Sequence, residues 1–206
     1  MTTSKGSRAA GFLGDLTHLR KITRVTARAG KRIPLSDGLG RALKTIEYAG
    51  QSGRKVIFIG NGGSAAIASH MAIDYWKNGG IRAIAFNDAS LLTCIGNDFG
   101  FERLFAEPVR RFAESGDVLV AVSSGGRSKN ILNGVSAARE KKCRVITYSG
   151  FDDTNPLRSL GDLNFHVPSH SYAYVEVSHL SLIHSLLEER MLLRKSPGAS
   201  PLTVRG

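Results

Sequence analysis

Cysteine is scarce in this chain of 206 residues, with only Cys94 and Cys143. Two cysteines make neither a disulfide framework nor a paired metal motif, so a reducing, cytoplasmic location is expected. Long apolar runs are missing too. None approaches the roughly 20 residues that span a bilayer, and no secretory signal pattern is present. Acids are nearly absent from the two ends. Residues 1–33 hold eight Lys/Arg and one acid, Asp15; residues 190–206 hold Arg190, Arg194, Lys195 and Arg205 and no acid; residues 34–189 hold sixteen of each sign. The formal charge of +11 therefore resides entirely in the ends. A neutral body argues against a nucleic-acid surface there, although basic tails can bind nucleic acid, an acidic membrane or an acidic partner. We take them as solvated ends. The first 33 residues also have the composition of a targeting peptide. Against that, Leu13, Leu16, Leu19, Ile22 and Val25 have the helical spacing of a packing face.

The chain is of a size for one domain with a real core. Helices are predicted over 13–29 and 39–49. Strands then alternate with helices: strands at 55–59, 81–86, 117–122, 144–148 and 164–167, and helices at 65–77, 101–114, 129–141 and 172–193. Asn87 is placed to cap a short helix running through Ile95. The strands read as continuous apolar runs, VIFI at 56–59 and VLVAV at 118–122. That pattern predicts an α/β fold with a parallel sheet covered on both faces. Ligands of such sheets bind at the carboxyl ends of the strands, at the topological switch point.

The segment VIFIGNGGSAAIASHMAID at 56–74 carries the most chemistry. A strand ends in Gly60-Asn61-Gly62-Gly63, and Ser64 opens a helix. Free backbone N–H groups and the helix dipole make this junction an anion site. His70 and Asp74 follow one helical turn apart, on one face. A second junction follows 117–122: Ser123-Ser124-Gly125-Gly126-Arg127-Ser128, then a helix. Its hydroxyls can donate to phosphate oxygens, although a loop with a serine cap is the simpler reading for one junction alone. Two such junctions in one sheet strengthen the phosphate reading. Gly60, Gly62 and Ala65 also fit the dinucleotide fingerprint, with Asp88 as the ribose acid, but this leaves the serine loop and His70/Asp74 unexplained. On the closing helix, His179 and His184 flank Glu176, each within about 80° of it. Periodicity alone does not choose between the two histidines. Asp74 could instead neutralise an arginine, and either histidine could be a core residue.

Together these pieces resemble the sugar isomerase (SIS) domain family, and within it the phosphoheptose isomerases. The matching text is GNGGSAAIASHMAID at 60–74, IGNDFGFERLF at 95–105, VSSGGRSKNI at 122–131, AAREKKCRVIT at 137–147 and VEVSHLSLIH at 175–184. The resemblance implies a single three-layer domain over 37–193, with a flavodoxin-like five-stranded parallel sheet. A basic N-terminal helical extension (1–36) and a basic tail (194–206) would flank it. It implies a homotetramer with sites between subunits. It implies that Asn61, Gly62, Gly63, Ser64, Ser123, Ser124 and Ser128 bind a sugar phosphate, with Asn97 and Asp98 close by. Asp74 and His184 would be the acid/base pair of an aldose–ketose isomerisation through an enediol. His70, Asp74, Glu176 and His184 would be the zinc ligands of those members that bind zinc. Such chemistry needs a base beside the carbonyl and an acid or metal at the oxyanion. The family also contains sugar-phosphate sensors and a replication-initiator-associating adaptor. The pair Asp74 and His184 favours the enzyme, because a pure binder has no need for both. This chain has Asp74 where the isomerases carry Glu, Glu176 where they carry Gln, and Gly125 where they carry Ser; it also lacks their acid at 171–174.

Overall fold

The structure, a computed structural model, describes residues 8–195. Helix α1 (Arg8–Ile22) leads into β1 (Arg24–Ala27), β2 (Arg32–Ile33) and α2 (Leu35–Gln51). Then come β3 (Val56–Gly60), α3 (Gly63–Lys77), β4 (Ala83–Ala85), α4 (Ala89–Asp98), α5 (Ala106–Phe112), β5 (Val118–Ser123), α6 (Lys129–Glu140), β6 (Arg144–Gly150), β7 (Leu163–Val167) and α7 (Tyr172–Lys195). Short 3-10 turns sit at Arg28–Gly30, Phe101–Arg103 and Pro156–Ser159.

Seven strands form one sheet in the order β2-β1-β7-β6-β5-β3-β4. Strands β3 to β7 pair in parallel, as the apolar runs predict. The sheet has two more strands than the five expected. Both come from the N-terminal region, where β1 runs antiparallel to β7, with Val25 opposite Phe165, and β2 pairs with β1. The helix expected over 13–29 therefore stops at Ile22. Thr23, Val25 and Thr26 are β-branched and stiff at χ1, and a partner strand is available to them. Val25 is buried there. Residues 1–7 of the expected extension and 196–206 of the expected tail lie outside the described residues.

Alternation along each strand builds two cores. Val56, Phe58, Val118, Val120 and Val122 face one way, against α2, α3 and α7. Ile57, Ile59, Leu119 and Ala121 face the other, with Val109, Ile131 and Val135 from α5 and α6. Burial of each such side chain contributes roughly 1.5–3 kcal/mol before the entropy of ordering is subtracted. Aromatics fix the first core: Tyr148 stacks on Phe165 at 5.0 Å, and Phe58 meets Tyr75 edge-on at 5.2 Å. After β3 the chain goes to β4 on one side, and then to β5 on the other. The switch point therefore lies between the carboxyl ends of β3 and β5.

Part of the terminal charge is structural. Buried Arg190 donates through Nε to the Gly79 carbonyl at 2.8 Å, and Arg194 donates to the same oxygen at 3.0 Å. Both tie α7 to the end of α3. Arg24 of β1 pairs with Asp153, just beyond β6. No described helix is long and apolar enough to cross a membrane.

Candidate functional site

At the switch point the glycine loop and the serine loop face each other across a cleft of about 410 Å³. Asn61, Ser64, Ser123, Ser124 and Ser128 line it, with Gly125, Arg127, Tyr172 and Glu176. The loops are joined by a reciprocal amide pair: Asn61 Nδ2 donates to Asn130 Oδ1 and Asn130 Nδ2 to Asn61 Oδ1, both at 2.9 Å. Gly62 lies beside the cleft at φ 53° and precedes α3, which Gly63 opens. A Cβ on Gly63 would come within 2.3 Å of the Glu176 carboxylate, so a side chain here would push that carboxylate out of its present place against the loop.

The hydroxyls of the serine loop differ in how free they are. Ser123 Oγ accepts from the Gly126 N–H at 3.2 Å. Ser124 Oγ is buried without a partner. Such a group is costly unless something at the cleft bonds it. Ser128 holds the cap position of α6, yet its side chain makes no cap hydrogen bond. The simple capping role is thus not realised, and that hydroxyl too is free for a ligand.

Asn155 fixes the loop from below. It is buried, and its Nδ2 donates to the carbonyls of Ser124 and Gly150, both at 2.9 Å. Gly126, at φ 62°, lies so close that a Cβ would stand 1.7 Å from Asn155 Oδ1. Gly126→Ala is therefore expected to destabilise the fold by about 2 kcal/mol, lowering Tm by roughly 4–8 °C. A thermal melt checks this; an unchanged Tm would show that the loop relaxes freely around Asn155.

Farther along α3 and α7 is a second cluster. These helices lie side by side and run in parallel: Gly63 faces Glu176, Asp74 faces His184, and Gly79 faces Arg190. His70 Nε2 donates to Asp74 Oδ2 at 3.0 Å, and His184 Nε2 lies 3.8 Å from the same oxygen. The two imidazole rings meet edge-on at 5.2 Å. Asn78 Nδ2 completes the Asp74 shell at 3.2 Å. No arginine pairs with Asp74 among the described residues, so it is not a charge neutraliser of that kind. All three side chains keep access to solvent, at 53% for His70, 20% for Asp74 and 33% for His184.

The ligating atoms of His70, Asp74 and His184 all lie within 4.8 Å of one another. Two imidazoles and a carboxylate are a fitting donor set for zinc, with coordination positions left open. Glu176 is outside this group. It lies about two helical turns before His184 and faces the cleft instead.

The choice between histidines is resolved by burial. His179 is fully buried, and its Nε2 donates to the Ser149 carbonyl at 3.0 Å. It is a core residue, whereas His184 is the one beside Asp74. Asn97 and Asp98 stand on α4, exposed and bonded to each other at 2.8 Å, away from the cleft lining. Asp88, the ribose acid of the dinucleotide reading, is instead the cap of α4, accepting from Leu91 N–H at 3.0 Å. The expected cap, Asn87, turns to α3 and donates to Ala65 O and Ser69 Oγ. Sequence reasoning missed Asn130, Asn155 and Tyr172. Asn130 was within reach, next to the serine loop; Asn155 has no local signal, since it arrives from a turn beyond β6.

The SIS domain family matches residues 18–150 of this chain. A phosphoheptose isomerase of Bradyrhizobium sp. is 39% identical over 181 residues, covering 84% of this chain and 89% of that protein. Another, of Citrifermentans bemidjiense, is 37% identical over 169 residues, covering 78% and 88%. The solved phosphoheptose isomerase of Neisseria gonorrhoeae superposes with a TM-score of 0.77 at 31% identity, covering 89% of this chain and 97% of that one.

Proposed function

This chain belongs to the SIS domain family, and on that premise we propose that it is an aldose–ketose isomerase. Its substrates are sedoheptulose 7-phosphate and glycero-manno-heptose 7-phosphate, as the names of its relatives support. One observation carries the reading. The two helices that begin at a hydroxyl-lined cleft with an unpartnered Ser124, α3 and α7, also bring Asp74 and His184 to 3.8 Å.

The cleft takes the phosphate through Ser64, Ser123, Ser124 and Ser128, with the positive end of α3 and Arg127 adding favourable charge. Gly62 and Gly63 keep the backbone close. The Asp74 carboxylate removes a proton from C1 of the ketose. The electron pair becomes the C1–C2 bond of the enediol, and the C2 oxygen takes a proton in the reach of His184. Return of the carbon proton to C2, with loss of the hydroxyl proton at O1, gives the aldose. His70 orients Asp74 through its hydrogen bond. Zinc, where present, would be held by His70, Asp74 and His184, and would supply positive charge to the developing oxyanion. Asp74 is one methylene shorter than the Glu of the isomerases, a displacement of about 1 Å that can cost roughly a hundredfold in rate.

We place the active protein in the cytoplasm as a homotetramer with sites between subunits. The free thiols of Cys94 and Cys143 support the first. The second is supported by the outward face that carries the catalytic pair, where Ile73, Trp76 and Val177 are exposed apolar neighbours. Asn97 and Asp98 would reach a site only across such an interface.

Incubation with sedoheptulose 7-phosphate in D₂O, followed by NMR, tests the function. Deuterium entering at the carbon beside the carbonyl, with the aldose appearing, is the expected result. Binding without exchange would instead indicate a sugar-phosphate sensor. Ser128→Ala is expected to weaken sugar-phosphate binding by roughly tenfold, the worth of one hydrogen bond to a charged group, and to leave Tm unchanged. Calorimetric titration reads this, and equal affinity would take Ser128 out of the phosphate shell.

A further inference from the structure

A larger cavity, of about 780 Å³, opens at the opposite end of the sheet. Its walls are the amino ends of β5, β6 and β7, with α2 alongside. The seven residues of β6 put it about 20 Å from the cleft. Besides Arg139, four cations line it: Arg28, Lys44, Lys142 and Arg144. None of the four has a salt-bridge partner among the described residues. The one acid in the wall, Asp162, is already engaged by Arg139 at 2.8 Å and by the Val145 N–H at 2.9 Å. Burial, together with nearby Asp117, pushes the Cys143 thiol up to about 11, so it stays neutral and offsets no positive charge. At the rim stands Tyr48, 72% exposed.

Like charges gathered in a concave space repel one another, and the low-dielectric walls sharpen that repulsion. A polyanion relieves it. Guanidinium forks and ammonium groups are suited to phosphate oxygens. A solvent-facing phenol ring beside them offers a stacking surface that any nucleobase fits. We propose that this cavity binds a nucleoside triphosphate, the four cations holding the phosphates and Tyr48 stacking on the base. The site is separate from the sugar-phosphate cleft. Strand β5 connects the two, beginning beside Gly116 in the cavity wall and ending at Ser123 in the cleft.

The test is calorimetric titration of the full chain with ATP and, separately, with inorganic triphosphate. Both probes are expected to bind, ATP more tightly, and more weakly as salt rises. Arg144→Glu combined with Lys44→Glu is expected to weaken both by at least about tenfold. Both positions are exposed, so the fold should persist; circular dichroism verifies that. Arg111→Glu, an exposed charge reversal on α5, should leave binding unchanged. Tyr48→Ala should lower ATP to the affinity of triphosphate without altering triphosphate itself. Displacement of ATP by sedoheptulose 7-phosphate would assign the binding to the cleft and overturn the proposal. So would absence of binding by either probe, or indifference to the Lys44/Arg144 reversal. Equal affinities for ATP and triphosphate would overturn the nucleoside assignment.

Discussion

Replacing Asp74 by asparagine is expected to lower kcat for heptose-phosphate isomerisation by roughly 10²- to 10⁴-fold, the usual worth of a positioned acid or base. The amide keeps the size of the carboxylate but cannot take a carbon-bound proton. Its loss is confined to chemistry because Asp74 does not line the phosphate cleft. KM should therefore change little, the signature of an interaction made in the transition state. Fold stability should change little as well, since the contacts of Asp74 with His70 and Asn78 are on the surface. His184→Ala should give a loss of similar size. The double variant should be scarcely worse than either single one, because groups acting as a unit are not additive. Deuterium uptake from D₂O reads the proton transfer directly, and zinc content measured in the same samples separates loss of the base from loss of the metal. An Asp74→Asn protein that exchanges at the parental rate would falsify the acid–base assignment.

The second large effect concerns pH and stability. His179 and His166 are both fully buried. Burial holds each imidazole down to about 4, from 6.5 in a free chain. His179 Nε2 already donates to Ser149, and its Nδ1 has no acceptor for a second proton. His166 Nδ1 shares a hydrogen bond with Ser149 Oγ at 3.1 Å; its Nε2 makes no hydrogen bond, and the Asp153 carboxylate 3.4 Å away only partly offsets the burial. Between pH 6.5 and 4 the unfolded chain binds protons that the folded chain refuses. Stability is thus at its plateau above pH 6.5, and falls as pH drops towards 4. The slope is about 1.4 kcal/mol per pH unit for each histidine, amounting to about 3 kcal/mol for His179 alone. Urea unfolding at pH 7, 6, 5 and 4 measures it. His179→Gln keeps a donor for Ser149 and removes the titration, so its curve should be flatter across this window. A variant curve parallel to the parent would place the acid sensitivity elsewhere.

Much of this molecule is legible in its sequence. Strands β3 and β5 fall within a residue of their apolar runs, because such runs are bounded by glycines and buried on both faces. The glycine and serine loops read as ligand junctions for the same reason: backbone, not distant contacts, makes them. The failures also have causes. Residues 23–27 continue a helical spacing for only one step, and over so short a stretch periods of 3.6 and 2 cannot be told apart. The partner that decides, β7, is about 140 residues away. The helix expected over 101–114 breaks into a 3-10 turn and α5, whose Pro108 is tolerated because it sits in a first turn. His179 and His184 differ only in which neighbour they meet. Asn155 holds the serine loop from a segment with no motif of its own.

The sheet ends on two very short edges, β2 with two paired residues and β4 with three. Little backbone is left there to template another strand, which guards the protein against edge-to-edge aggregation. Self-association through the helices would leave those edges untouched. The helical face that offers Ile73, Trp76 and Val177 for this also displays His70 and His184. Were the proposed assembly to form there, it would draw on the same surface as the chemistry, and turnover per chain would then depend on protein concentration.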